Sequence, residues 1–152
     1  MILYRIAKCL YINDLSGTGA RLYGGRWNGV GNAMVYLAAN RAMAVLEVLV
    51  HLSPTIFPQD FCIAEIEVPG NSVLTVDNQA LPANWQDVSP PNELKQLGDY
   101  FIKQQQYLLM KVPSAILPQE FNYLMNPLHP EAVKIKVLNQ QSFSFDERLV
   151  VV

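Results

Sequence analysis

The pattern of hydrophobic and polar positions predicts mainly short strands. The segment 61–68, FCIAEIEV, alternates, with Cys62, Ala64, Ile66 and Val68 on one face, which is typical of a half-buried strand. Other short apolar or alternating runs also predict strands: residues 2–7, 34–38, 107–113, a segment beginning near Ser114, 133–137, and the β-rich tail from 143.

Two segments have helical periodicity. Residues 41–52, RAMAVLEVLVHL, follow Asn40 in the N-cap position and end before Ser53 and Pro54. A weaker helical pattern runs from Glu93 to Gln105. Residues 13–19 have the composition of a turn, and residues 77–99 that of a long irregular connection.

This order of elements predicts an α+β fold. A doubly wound sheet would alternate strands and helices regularly, which this chain does not do. A length of 152 residues suits one domain, 1–152, and the sequence contains no internal repeat or linker.

Composition changes the picture in one respect: charge is scarce. Charged residues are 16% and hydrophobic residues 51% of the chain, so we expect some apolar surface to meet another protein. A net charge of −2 argues against general affinity for nucleic acid or membranes. Residues 1–52 hold five basic and two acidic residues, a balance of +3, which leaves −5 for the remainder. A small anionic ligand at the N-terminal third fits this asymmetry, although scattered solvated arginines would produce it too.

The cysteines and the N-terminus suggest a reducing, cytoplasmic environment. Cys9 and Cys62 belong to no CxxC or Cys/His cluster, which weighs against a disulfide framework and against zinc. No leader-like segment and no run of 18 apolar residues occurs. Metal-ligand spacings such as HExxH are also missing, so we expect no metal or other cofactor.

Glu47 is the most informative candidate for chemistry. It lies within an apolar helical segment that has no clear solvent face, and buried carboxylates are uncommon unless they are paired or functional. An exposed glutamate on a thin polar stripe with His51 would give the same pattern, so both interpretations stay open.

Arg26 stands in the glycine-rich stretch LYGGRWNGVG, between Gly25 and Trp27. Glycines let backbone approach a ligand, a guanidinium binds phosphate or carboxylate oxygens in a bidentate way, and Trp27 could form a wall or stacking surface. Spacing alone nevertheless favours a plain turn with an exposed arginine. A Rossmann motif is excluded, because the GxGxxG spacing is missing and the glycines precede a strand.

Three further polar residues are ambiguous by themselves. Tyr36 fits a core position, Ser114 fits a turn, and Asn122 fits a loop-fastening role or a pocket lining. Ser114 lacks the G-x-S-x-G context of a serine hydrolase.

Taken together, these segments resemble the RES domain, which is named for an arginine, a glutamate and a serine. The resemblance is carried by YRIA (4–7), SGTGARLYGGRWNGVGNAMVYLA (16–38), LEVLVHL (46–52), LPANW (81–85), LGD (97–99), VPSAILPQEFNYLMNPLHP (112–130) and FSFDERL (143–149). The ordered set covers nearly the whole chain. After LGD the family more usually has a tryptophan, where this chain has Tyr100 and Phe101.

The resemblance implies a fold similar to that of the ADP-ribosyltransferases and a bacterial type II toxin that degrades NAD⁺ by hydrolysis or phosphorolysis. It assigns catalytic roles to Arg26, Tyr36 and Glu47, and substrate binding to Ser114 and Asn122 beside Gly25 and Trp27. Arg26 would hold the diphosphate and Glu47 would stabilise the oxocarbenium-like transition state. Tyr36 would stack on nicotinamide, and Ser114 would bond the nicotinamide amide or a ribose oxygen.

The expected partner is an Xre-type helix-turn-helix antitoxin that blocks the pocket and supplies DNA binding, with a toxin homodimer inside the complex. Two other functions remain open: ADP-ribosylation of a protein, and a non-catalytic module that only binds its partner.

Overall fold

One mixed sheet of seven strands runs through the protein. The computed structural model describes residues 1–150. The strands are β1 (Ile2–Lys8), β2 (Val35–Ala38), β3 (Phe61–Glu67), β4 (Val73–Thr75), β5 (Leu109–Pro113), β6 (Phe121–Met125) and β7 (Lys136–Phe143). Their order in the sheet is β4-β5-β6-β2-β1-β3-β7, and every neighbouring pair is antiparallel except β4 with β5.

Within residues 1–150, three α-helices accompany the sheet. They are α1 (Thr18–Tyr23), α2 (Arg41–Leu49) and α3 (Asn92–Gln104). Short 3₁₀ helices cover Cys9–Tyr11, Asn78–Ala80, Pro130–Lys134 and Glu147–Leu149. The predicted α+β architecture of short strands with a few helices is therefore present.

The sheet is split at its centre, between β1 and β2. β1 pairs with β3 along its whole length, from Ile2 opposite Glu67 to Lys8 opposite Phe61. With β2, in contrast, its ladder has one pair, Tyr4 opposite Ala38. The second half of β1 therefore diverges from the first half of β2.

The core lies in three apolar clusters around this sheet. The first includes Leu3, Leu37, Ala64, Ile66 and Leu109. The second joins α3 to the sheet and includes Trp27, Met34, Trp85, Leu94, Phe101 and Val112. The third packs α2 on β1 and β2 and includes Ile6, Ala38, Met43, Ala44 and Phe145. Burial of these side chains is the main source of stability.

α2 begins as predicted. The side chain of Asn40 accepts a hydrogen bond from the backbone N–H of Met43 at 2.8 Å, as an N-cap should. The helix ends at Leu49 instead of continuing to Leu52. This helix presents Glu47 beside the sheet.

Several element boundaries differ from those predicted. The segment after Ser114 is a turn, because the Ser114 hydroxyl accepts from the amides of Ile116 and Leu117 and its own amide bonds to Glu120. The strand predicted over 133–137 is mostly a 3₁₀ helix, and β7 starts at Lys136. α1, β4 and β6 were not predicted, and the irregular connection is shorter than 77–99 because α3 begins at Asn92. Residues 151–152 of the predicted tail lie outside the described residues.

The expectation against a disulfide is wrong. Cys9 and Cys62 are bonded, with their Cα atoms 4.8 Å apart. The cause is strand register. Cys62 in β3 lies opposite Ala7 in β1, and Cys9 follows directly after the end of β1, close to Cys62. The proximity could not be predicted from the sequence, because the two cysteines are 53 residues apart.

No helix within residues 1–150 is long and apolar enough to cross a membrane.

Candidate active site

A cavity of about 670 Å³ brings together residues from four parts of the chain. The loop after α1 supplies Gly25 and Arg26, β2 supplies Tyr36, α2 supplies Glu47, and β6 supplies Asn122. Trp27 also lines the cavity, so six of the predicted site residues lie around one space although they come from distant parts of the sequence. Its volume falls within the range of about 300–1,000 Å³ that is usual for small-molecule sites.

The glycine-rich loop is held in shape by Asn28. Gly24 ends α1 with a φ of 73°. The fully buried Asn28 side chain then donates from Nδ2 to three carbonyls, those of Ala20, Gly29 and Asn32. One amide thus ties two carbonyls of the loop to one of α1, which makes the loop rigid, and the loop carries Arg26 to the cavity wall.

Tyr36 is locked beneath this loop through its hydroxyl. The hydroxyl donates to Asn28 Oδ1 at 2.7 Å and accepts from the Trp27 amide at 3.1 Å. A Cβ on Gly25 would lie 2.6 Å from that hydroxyl oxygen. Gly25 is thus required by the close approach of Tyr36, which differs from the sequence-based idea that the glycines make room for a ligand.

The two ends of the Tyr36 side chain have different surroundings. Over the whole residue, 36% of the surface is exposed and it lines the cavity, so part of the ring is open to a ligand. Burial raises the pKa of the hydroxyl well above its usual value. The phenol therefore stays neutral at physiological pH, and its proton is engaged by Asn28.

Arg26 is anchored but has no counter-ion. Its Nη1 donates to the carbonyl of Trp85 at 2.8 Å, and it forms no salt bridge with any residue in 1–150. Burial lowers the pKa of Arg26, while the carboxylates of Glu47 and Asp87 act in the opposite direction. The guanidinium stays charged, because even a lowered arginine pKa lies far above 7. A half-buried cation with donors to spare favours an anionic ligand.

The carboxylate of Glu47 is oriented by two neutral donors. Ser114 Oγ and Asn122 Nδ2 both donate to Oε1, each at 2.7 Å. Oε2 has no hydrogen-bond partner in the part of the chain that the structure describes. Glu47 therefore presents an oriented carboxyl group to the cavity, and of the two sequence interpretations the structure favours the partly buried one.

Ser114 and Trp27 have different surroundings from those expected of substrate contacts. Ser114 is fully buried, and its hydroxyl is occupied by Glu47 and by two backbone amides of the following turn. It stands behind Glu47, as a residue that positions the carboxylate. Trp27 is 3% exposed and belongs to the core cluster with Met34 and Phe101, so little of its ring can reach a ligand.

Three residues that support the site were not predicted from the sequence. Trp85 holds Arg26 through its carbonyl, Asn28 organises the loop, and Asp99 on α3 accepts from the amide of Gly29 at 2.9 Å. All three lie in segments that carry the family resemblance: LPANW, GGRWN and LGD. That placement was their only signal, because an isolated Asn, Asp or Trp has many structural roles.

Comparison with known proteins identifies the family. The model of the RES domain matches residues 2–146. The chain belongs to the RES domain family.

Curated relatives of this RES domain match it over nearly its full length. "Toxin Res" of Photorhabdus laumondii is 38% identical over 152 residues, covering 99% of this chain and 97% of that protein. "Prs ADP-ribosylating toxin" of Sphingobium sp. is 38% identical and covers 95% of this chain and 91% of that protein. "Toxin Res" of Pseudomonas putida is 40% identical, covering 98% of this chain and 99% of that protein.

A solved structure shares the fold of this RES domain. A chain of the M. tuberculosis MbcT–MbcA toxin–antitoxin complex superposes with a TM-score of 0.76, covering 94% of this chain and 84% of that one. The sequence identity is 17%, so this likeness concerns the fold. The predicted α+β fold is confirmed, and this solved structure shares it.

Proposed function

We propose that this RES domain is the toxin of a type II toxin–antitoxin pair and cleaves NAD⁺ at the bond between nicotinamide and ribose. The observation that carries the proposal is the presence of a cation and a carboxylate at one cavity. Arg26, a cation without a salt-bridge partner in the described residues, and Glu47, a held carboxylate, line the same 670 Å³ space.

The proposed reaction needs these two charges. When the bond from nicotinamide nitrogen to ribose C1′ breaks, its electron pair neutralises the pyridinium, and positive charge develops on the ribose. A carboxylate oxygen close to that carbon stabilises the charge, and here Oε2 of Glu47 is available. An acceptor oxygen then bonds to C1′ and gives up its proton. Arg26 holds the diphosphate of NAD⁺ through bidentate hydrogen bonds.

Tyr36 and Asn122 complete the proposed binding mode. The open part of the Tyr36 ring offers a stacking surface for nicotinamide, while its hydroxyl is engaged by Asn28 and is not free for acid–base chemistry. Asn122 lines the cavity and donates to Glu47. No metal enters the proposal, since orientation and charge stabilisation lower the barrier directly.

The relatives support the toxin assignment by their printed names: two of those described above are called Toxin Res and a third an ADP-ribosylating toxin. The third name also supports a second candidate function, transfer of ADP-ribose to a protein. Chemically, the two functions differ only in the acceptor that attacks C1′.

The charge of Glu47 is the part of the site that tests the proposal most directly. Glu47→Gln keeps the size of the side chain but removes the charge, and we expect release of nicotinamide from NAD⁺ to fall by a factor of about 10²–10³. Glu67 is an exposed carboxylate at the end of β3, so Glu67→Gln is the matched control and should retain full activity. Unchanged turnover in a folded Glu47→Gln protein would falsify the mechanism.

Product analysis separates the possible acceptors. Mass spectrometry should find ADP-ribose if water attacks, ADP-ribose 1-phosphate if phosphate attacks, and a labelled protein if the domain is a transferase. The NAD⁺ used carries a label in its ADP-ribose part. If nicotinamide is released and the label stays on a protein, the second candidate function, ADP-ribosylation, is the correct one.

The composition of the cavity rim favours an antitoxin that covers the cavity. Exposed apolar side chains, those of Tyr23, Val50, Val88 and Ile116, are among the lining residues. We propose that an Xre-type antitoxin buries them and closes the pocket, within a complex that contains a toxin homodimer. Cellular NAD⁺ should fall when the domain is expressed alone and stay constant when its antitoxin is expressed with it. Growth arrest at constant NAD⁺ would point instead to a protein target.

A further inference from the structure

A second cavity of about 590 Å³ adjoins the first. The two share four lining residues: Gly19, Ala20, Tyr23 and Tyr36. α1 and Tyr36 thus form the boundary between two compartments of similar size. A ligand with two linked halves can occupy both compartments at once.

The split in the sheet creates the second cavity. Beyond the single pair between Tyr4 and Ala38, β1 and β2 separate. Residues from the second half of β1, including Arg5, and from the beginning of β2, including Val35, line the space that opens there. The cavity is therefore part of the sheet architecture and does not depend on a surface loop alone.

The lining of the second cavity differs in chemistry from that of the first. Tyr11 lines it with 56% of its surface exposed, which offers an aromatic face to a base. The exposed Asp14 supplies a carboxylate, the group that commonly accepts ribose hydroxyls in nucleotide sites. Arg5 lines the same cavity, so its positive charge balances that of Asp14 there.

Arg5 adds further donors to the second cavity. Its Nη1 bonds to the carbonyls of Ile12 at 3.0 Å and Asp14 at 2.7 Å. Among residues 1–150, Nε and Nη2 of Arg5 have no hydrogen-bond partner. These N–H groups can donate to ring nitrogens of a purine or to ribose oxygens.

We propose that the second cavity binds the adenosine half of the dinucleotide, with Tyr11 stacking on the adenine and Asp14 holding the adenosine ribose. This inference rests on the proposed NAD⁺ activity for the identity of the ligand. It adds that recognition of the substrate extends across Tyr36 to the 3₁₀ segment after β1. The diphosphate lies at the junction, beside Arg26.

ADP, which carries adenosine and the diphosphate but no nicotinamide riboside, tests the second cavity by direct binding. All proteins are made on the Glu47→Gln background, so that an active toxin does not limit their production. Titration calorimetry should show that Tyr11→Ala weakens ADP binding about tenfold, from the loss of one stacking contact. Tyr100→Ala is the matched control: it removes a tyrosine of similar exposure, 63%, that lines neither cavity.

Conservative variants keep the test sharp. Asp14→Asn preserves the oxygen that accepts from the Ser16 amide, yet it removes the charge and should also weaken ADP binding. Equal ADP affinity in Tyr11→Ala, Asp14→Asn and the Tyr100→Ala control overturns the proposal, as does a failure of ADP to bind at millimolar concentration.

Kinetics on active protein distinguish this inference from the proposed function. Nicotinamide mononucleotide has the scissile bond but lacks adenosine. Tyr11→Ala should lower the ratio of kcat/KM for NAD⁺ to that for nicotinamide mononucleotide about tenfold, and an unchanged ratio contradicts the assignment. If the unsubstituted protein releases no nicotinamide while ADP binding still depends on Tyr11, the proposed reaction fails and the adenosine site stands.

Discussion

At the scale of single residues, the orientation of Glu47 depends on two donors that meet at one oxygen. Ser114→Ala removes one of them and also leaves the amides of Ile116 and Leu117 without their acceptor. A hydrogen bond to a charged group contributes about 1.5–3 kcal/mol, so kcat/KM for NAD⁺ should fall about 10- to 100-fold.

A double-mutant cycle shows whether Ser114 acts through Glu47. Asn122→Ala removes the other donor, and because both bonds end at Oε1, the losses from the two single changes should not add in the double variant. Thermal unfolding of each variant controls for loss of fold. Strictly additive losses would mean that Ser114 and Asn122 act on separate parts of the reaction.

Also at the residue scale, the buried hydroxyl of Tyr36 predicts a pH effect on stability. Its pKa is raised in the folded protein, so above the ordinary tyrosine pKa of about 10 the unfolded chain ionises at this position and the folded chain does not. Stability is therefore lost as pH rises above about 10. The free energy of unfolding, measured in urea from pH 8 to pH 11, should fall less steeply in Tyr36→Phe than in the unsubstituted protein. Equal slopes would show that Tyr36 ionises as readily folded as unfolded.

At the scale of elements, the packing of α3 on the glycine-rich loop rests on Gly98. A Cβ at this position would lie 1.6 Å from the carbonyl oxygen of Trp27. Gly98→Ala must therefore push α3 away from the loop, and it should destabilise the protein by about 1–3 kcal/mol or more and lower activity through displacement of Arg26.

Gly19 provides the matched control for this helix–loop contact. It also lies in a helix, α1, but a Cβ there would meet nothing within 4 Å. Gly19→Ala should stabilise the protein by about 0.5–1 kcal/mol, as alanine does in an exposed helix. Urea denaturation of both variants measures the contrast, and equal midpoints would contradict the close packing at Gly98.

Elements with a strong local signal could be predicted from the sequence. The alternation in residues 61–68 located β3, and Asn40 located the start of α2. α1 and β6 were missed, because TGARLY and FNYLM have no decisive periodicity and depend on contacts with distant parts of the chain. Strand register is set by the same distant contacts, so the proximity of Cys9 to Cys62 was also hidden.

The candidate site shows the same division. Single residues gave ambiguous signals, since Tyr36 alone fits a core and Ser114 alone fits a turn. The family resemblance grouped these residues. In the structure, Ser114 contacts the Glu47 carboxylate and Tyr36 contacts the glycine-rich loop. The supporting residues Asn28 and Asp99 could not be recognised, because their role is a set of backbone contacts that exists only in the folded protein.

At the scale of the whole molecule, the disulfide closes a loop that contains the three catalytic candidates. Arg26, Tyr36 and Glu47 all lie between Cys9 and Cys62, which are 53 residues apart. Closing a loop of this length restricts the unfolded chain by about 4 kcal/mol. The Cys9→Ser, Cys62→Ser double variant should therefore unfold at lower urea concentration. It should keep its activity at 25 °C, because the site is held by hydrogen bonds that do not involve the cysteines: Tyr36 to Asn28, and Ser114 and Asn122 to Glu47.

Reductant provides the control for this prediction. Dithiothreitol should lower the urea midpoint of the unsubstituted protein to that of the double variant and leave the variant itself unchanged. Mass spectrometry after alkylation reports whether the bond was present before reduction. A midpoint insensitive to reductant would mean that the strand pairing, and not the covalent link, closes this loop. Two free thiols in the purified protein would contradict the disulfide itself.

Since the loop carries the catalytic candidates, the reduced protein should lose activity at a lower temperature than the oxidised one.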